Sequence, residues 1–301
     1  MKTIIYAILL CLTATAAPGQ DLAKLNKRTF HIGVSSRLFR KLNHNEVIAS
    51  YKVWASTVAK ERDLDLDVQV SMLNGLEGIQ NGLKNGWLDA VNLATDDYDV
   101  LSIDPDTVFY PLREDGAGTV YILLVHTESG IEGVKDLEGL NLVTYESHNM
   151  VLARKWLQSE FTRAANGAMQ ERDIDITTVD KAADGIFKVF FRQADAVIMN
   201  LGTFNLACQL NPQLQKKLKI ISRSPRLIPS FFIFSPDYQG KNRQLIEEAI
   251  TGLHNSAAGQ QVLTIFQSSR MEKSSTKILD ETLSFLSDYK ALQLNLSAAR
   301  Q

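Results

Sequence analysis

Ser147, His148 and Asn149 stand together between a strand-like apolar run and a helical one. A hydroxyl, an imidazole and an amide at the start of a helix suit the binding of an anion. Unpaired backbone N–H groups and the positive end of the helix dipole add to their pull. Ser147 also fits the N-cap of that helix. Other polar residues recur at comparable places. Ser35, Ser36 and Arg37 follow the strand-like Thr29–Val34. Thr95, Asp96, Asp97 and Tyr98 follow Asp89–Ala94, and Asn200 and Thr203 follow Ala194–Met199. In open α/β sheets, ligands bind beyond the carboxyl ends of strands. Asp96 and Asp97 either cap the next turn or pair with a ligand amine. His148 either reads a ligand's charge or stands exposed as a cap.

The residues offer little for catalysis. His31, His44, His126, His148 and His254 form no His-x-x-x-His or HExxH pattern. There is no G-x-S-x-G elbow, no GxGxxG fingerprint and no Walker loop. The sequence therefore predicts no catalytic residue, no metal site and no cofactor, and a binding protein rather than an enzyme.

The elements that must position these residues alternate between strand and helix. Thr29–Val34, Leu66–Val70, Asp89–Ala94 and Val108–Leu112 read as strands. The helix Asn43–Glu61 carries Val47, Tyr51, Trp54 and Val58 at helical spacing, and core packing is the expected role of Tyr51 and Trp54. A second helix runs from Asn74 to Asn85-Gly86. Thr119–Val125 is continuously apolar and β-branched, as a strand buried on both faces would be. Leu140–Thr144 is the next strand, and Met150–Phe161 the helix after Ser147. Asp173–Val179, Ala194–Met199, Lys219–Ile221 and Ser230–Phe234 are further strands, with helices at Ala182–Phe191 and Asn205–Leu210. Arg243–Ile265, punctuated by Gly252 and Gly259, and Glu272–Leu296 read as helical.

Ordered motifs run through most of this chain. They are Asn85-Gly86-Trp87-Leu88-Asp89-Ala90 with Tyr98 beyond; Asp136-Leu137-Glu138-Gly139; Gln193-Ala194-Asp195-Ala196-Val197; and Ser222-Arg223-Ser224-Pro225 through Pro229. In this order the chain resembles the type II periplasmic substrate-binding proteins, and among them the phosphonate/phosphite-type binding proteins of ABC transporters. The resemblance implies an α/β fold of two lobes, each a mixed sheet flanked by helices, joined by crossover strands. It implies that Tyr98 contacts the ligand and that Ser147 aligns with the first serine of a loop that grips phosphonate oxygens. His148, Asn149 and Met150 stand where that loop has small residues. Asn200 stands near an acidic residue of the family, and Ala182 near its histidine.

The 301 residues, 45% hydrophobic and 22% charged, suffice for one large or two medium domains. A net charge of -2 gives no reason to expect nucleic acid. Lys2, the apolar stretch from Ile4 to Leu12 and Ala14-Thr15-Ala16 predict a secretory leader cleaved near Ala16. Cleavage removes Cys11 and leaves Cys208, read as an inert thiol on an apolar helix face. The expected organisation is a leader over 1–16, a first lobe over 17–125, a second over 126–232, and a return to the first lobe with C-terminal helices over 233–301. The expected protein is exported to the periplasm and monomeric. It captures a small anionic ligand between its lobes by hinge closure and delivers it to an ABC permease. A ligand sensor for a membrane histidine kinase or chemoreceptor is the alternative, and a periplasmic hydrolase a third.

Overall fold

A computed structural model describes residues 28–40, 42–101, 103–113, 116–164, 174–238, 240, 242–265 and 267–298. The predicted leader, its cleavage point and Cys11 lie outside these residues. The chain begins with β1 (Arg28–Ser35), a 3₁₀ turn (Ser36–Phe39), α1 (His44–Glu61), β2 (Leu66–Leu73), α2 (Gly75–Lys84), β3 (Ala90–Ala94), α3 (Thr95–Tyr98), β4 (Val108–Arg113) and β5 (Gly116–Ala117). It continues through β6 (Tyr121–His126), a 3₁₀ turn (Val134–Leu137), β7 (Asn141–Tyr145), α4 (Ala153–Ala164), β8 (Asp175–Val179), α5 (Ala182–Phe190), β9 (Ala196–Asn200), α6 (Leu201–Leu210), α7 (Gln213–Lys217) and β10 (Leu218–Arg223). The last part holds β11 (Ser230–Phe234), α8 (Arg243–Gly252), a 3₁₀ turn (Leu253–Asn255), α9 (Ala257–Ile265), β12 (Arg270–Ser274), a 3₁₀ turn (Thr276–Leu279) and α10 (Asp280–Ala298).

Two mixed sheets result. The first runs β12-β4-β11-β3-β1-β2 with β5 on β4, and the second β10-β6-β9-β7-β8. Their central strands are apolar on both faces because helices cover both sides. In β11, Phe232 and Phe234 pack with Trp54 and Ile246, while Phe231 and Ile233 pack with Ile79 and Leu279 on the other face. This is the period-two alternation of a strand. Every residue from Tyr121 to Val125 in β6 is fully buried. Cys208 is half-buried in α6 against the second core, and burial pushes its thiol pKa up.

Two helix expectations are corrected. The segment from Glu272 onward begins as strand, not helix. Its start belongs to β12, which pairs antiparallel with β4 from Arg270↔Leu112 to Ser274↔Val108. The free edge of β4 outweighs the helix propensity of Met, Glu and Lys there. The segment after Ser147 is a turn until Ala153. Helical continuation would direct the Ala153 N–H to the Asn149 carbonyl. That carbonyl instead accepts from the Tyr121 hydroxyl at 2.8 Å, and Ala153 N–H bonds Met150 O.

The chain leaves the first sheet after Ala117 and enters the second at Tyr121; it returns between Arg223 and Ser230. The two crossings are bonded to each other. Thr119 N–H donates to Leu227 O at 2.6 Å and Leu227 N–H to Thr119 O at 2.9 Å. Tyr121 N–H donates to Ser224 Oγ at 2.8 Å. Gly118, at φ +77°, permits this approach, because a Cβ there would lie 2.6 Å from Leu227 O. Gly118→Ala should therefore lower stability by about 1–3 kcal/mol through backbone strain alone. Urea titration checks this, and an unchanged midpoint would count against a tight crossing.

Candidate functional site

A cleft of about 740 Å³ opens between the two sheets. The turn after β1 and helix α1 supply one wall, through Arg37, Phe39, Arg40, Glu46 and Tyr51. The end of β7, the turn after it and α4 supply the other, through Tyr145, Glu146, Ser147, His148, Arg154 and Lys155. Tyr289 of α10 closes one side.

A charge cluster ties these walls together. Asp96, at the carboxyl end of β3, is 7% exposed. A buried carboxylate needs paired charge and hydrogen bonds. Arg37 Nη2 donates to Asp96 Oδ2 at 2.7 Å, and Lys155 Nζ reaches the same oxygen at 3.0 Å from the opposite wall. Arg37 Nη1 also donates to Asp97 Oδ1, and Ser35 Oγ to Asp97 Oδ2 at 3.1 Å. Burial alone would push the Asp96 carboxyl up, but Lys155 and Arg37 outweigh it and hold it below the usual carboxylate range. Burial raises Asp97, with the Asp96 charge adding to the rise against Arg37. Burial would lower the Arg37 pKa, yet the two carboxylates raise it.

A second bridge sits at the crossings. Arg113, at the end of β4, donates to Asn149 Oδ1 and, at 3.0 Å, to Thr119 Oγ1. His148 lies against Phe39 with ring centroids 6.1 Å apart. Its pKa falls to about 4, first through burial and then through the nearby Arg113 charge. The ring is therefore neutral near pH 7 and supplies no positive charge to a ligand. Ser147 Oγ is buried and has no hydrogen-bond partner among the described residues. Ser147 does not cap α4; its carbonyl accepts from Met150 N–H in the preceding turn.

Of the residues singled out from sequence, Arg37, Ser147 and His148 line the cleft. Asp96 and Ser35 stand directly behind Arg37, in its network. Ser36 is half-buried in the 3₁₀ turn and is not among the lining residues. Thr95 is fully buried, its hydroxyl donating to Ile228 O on the return crossing. Tyr98 packs edge-on against Phe231, at 5.2 Å, in the first core. Asn149 is buried beside the crossings, bonded to Arg113. Asn200 caps α6 by accepting from Thr203 N–H at 2.7 Å and donates to the Tyr145 hydroxyl at 2.8 Å, one layer behind the cleft. Sequence reasoning missed Lys155, Arg154, Arg40, Tyr145 and Tyr289. Arg113 was noticeable only as the residue ending a strand before the crossing.

A family model for the periplasmic substrate-binding proteins of ABC phosphonate transporters matches residues 41–277. The chain belongs to this family. The phosphonate-binding family is periplasmic and binds a substrate rather than transforming it, and membership implies a small-molecule ligand and a permease partner. No curated protein matches the chain in sequence. Among solved structures, the binding protein component of an ABC phosphonate transporter from Pseudomonas aeruginosa is 14% identical, with a TM-score of 0.55, covering 91% of this chain and 97% of that one. PhnD1 from Prochlorococcus marinus, solved with methylphosphonate, is 14% identical, with a TM-score of 0.59 over 89% of this chain and 99% of its own. A Xanthomonas citri protein solved with chloride gives 12% and 0.60 over 89% and 99%. These likenesses establish the fold, a two-sheet type II periplasmic binding protein. No helix among the described residues is long and apolar enough to cross a membrane.

Two outcomes follow from the geometry. Lys155→Met should cost about 1.5–3 kcal/mol, the range for a hydrogen bond to a charged group, and enlarge the radius of gyration in small-angle scattering. An unchanged radius would show that Lys155 does not hold the walls together. His148 is depressed from 6.5 to about 4 on folding. The unfolded chain then binds more protons in that window, so the contribution of a neutral His148 is full above about pH 6.5 and falls away towards pH 4. His148→Leu should flatten the stability profile there relative to wild type in denaturant titrations; parallel profiles would refute the burial of this ring.

Proposed function

We propose that this chain is the exported binding component of an ABC importer, taking a small phosphonate-like oxyanion into the cleft between its sheets. Each sheet with its helices acts as a lobe, and the paired crossings act as the hinge. The carrying observation is the cleft itself, lined from both sheets, with the buried Ser147 hydroxyl unpartnered on its wall. An unsatisfied buried hydroxyl is costly, and a ligand oxygen would satisfy it. Arg37, Ser147 and His148 are the contacts assigned from the predicted set; Asp96, Ser35 and Asn149 hold those contacts in place. Ligand would favour the closed arrangement because only that arrangement touches it from both sides.

The partner is assigned as a permease rather than a sensor kinase because the family is a transporter family. The mature protein is monomeric and begins near Ala17, after removal of the leader. It is a binder rather than an enzyme, as the family binds its substrate without transforming it.

Calorimetric titration with alkylphosphonates tests this reading. Ser147→Ala should lose a bond to a charged oxygen, about 1.5–3 kcal/mol or more than tenfold in affinity, with circular dichroism unchanged. Tyr98→Ala should instead lower stability and leave affinity as it is. Wild-type affinity in Ser147→Ala would place the ligand elsewhere.

A further inference from the structure

The charges around the cleft are balanced. Arg37, Arg40, Arg154 and Lys155 line it, and so do Glu46 and Glu146. Asp96 and Asp97 stand immediately behind Arg37 and Lys155 and take up those two cations. Among the described residues, positive and negative side chains therefore cancel. Arg113, one layer behind His148, adds a further positive field at the hinge end. The imidazole contributes none. A doubly charged anion entering this site would give up water around both charges with little net positive charge to meet it. A singly charged one would be matched.

The cleft is also large for a bare phosphonate. Its 740 Å³ falls among pockets that hold drug-sized molecules. This space is not the gape of separated lobes. The walls already touch through Lys155–Asp96 and through the rings of His148 and Phe39. Apolar surface from Phe39, Met150, Leu157 and Ile198 lines what remains.

We propose that the cleft takes a singly charged phosphorus oxyanion carrying an apolar or aromatic body, as a phosphonate monoester or phosphodiester does, and disfavours free dianions. This rests on the cleft being the binding site.

The test is calorimetry on the mature chain with three probes at about pH 5.5 and about pH 8, which bracket the second ionisation of a phosphate monoester near pH 6. Methyl phenyl phosphate keeps one charge throughout and reports any titration of the protein itself; its affinity should hold steady. Phenyl phosphate becomes a dianion and should weaken roughly 50- to 100-fold relative to it, the loss of monoanion between those pH values. Dimethyl phosphate lacks the ring and should bind at least tenfold more weakly than the methyl phenyl diester. Glu146→Gln, which removes a negative charge from the exposed lip, should shrink the phenyl phosphate penalty. Equal or tighter binding of phenyl phosphate at the higher pH overturns the charge inference, and equal binding of the two diesters overturns the size inference. Either result leaves the binding function standing. If no probe and no alkylphosphonate binds at either pH, the functional reading fails with it.

Discussion

Asp96 is a carboxylate with almost no access to water, and the molecule is arranged around the need to answer its charge. One answer, Arg37, comes from the turn after β1. The other, Lys155, comes from α4 across the cleft. The two bonds thus settle the ionisation of a buried acid and consume two of the cleft's cations, and the Lys155 bond also brings the two sides into contact. What is left lining the cleft is hydrogen-bond donors, apolar side chains and a field close to neutral. Electrostatic compensation inside the protein in this way sets the charge that the cleft presents.

The crossings obey a different constraint. Backbone passing between two cores must have its polar groups paired. The outgoing and returning crossings pair with each other, through Thr119 and Leu227 and through Tyr121 and Ser224. Asn149 joins that junction from the cleft side, bonded to Arg113 and to the Tyr121 hydroxyl. The turn bearing Ser147 and His148 is therefore anchored to the crossings rather than built on the end of a helix. Movement of the crossings would move this cleft-lining turn with them.

Much of this was legible in the sequence. β6 and β11 are continuous apolar runs, as doubly covered strands are, and the structure places them so. α1 showed its face through Val47, Tyr51, Trp54 and Val58, all of them buried. What escaped was decided between distant segments. β12 is the polar Arg-Met-Glu-Lys-Ser, a strand only because the edge of β4 is vacant beside it. Lys155 looked like any lysine on an amphipathic helix; nothing local marks it as the partner of Asp96. Asp96 and Asp97 drew notice as an acidic pair, but their partners could not be read from spacing. Tyr98 matched a ligand-contacting aromatic by motif, while its ring lies on Phe231, a strand remote in the chain.

The placing of β11 has a consequence for how the chain is made. The second sheet is one continuous stretch, complete once β10 has been synthesised. The first is interrupted. Its strand between β3 and β4 arrives only with Ser230–Phe234, and its edge strand later still. A nascent chain that has emitted its first hundred residues holds β1 to β3 with β3 open on one side, and its contacts there must span more than a hundred residues before they form. Such non-local closure is slow. The N-terminal part of the polypeptide thus stays without its finished sheet until most of the sequence exists.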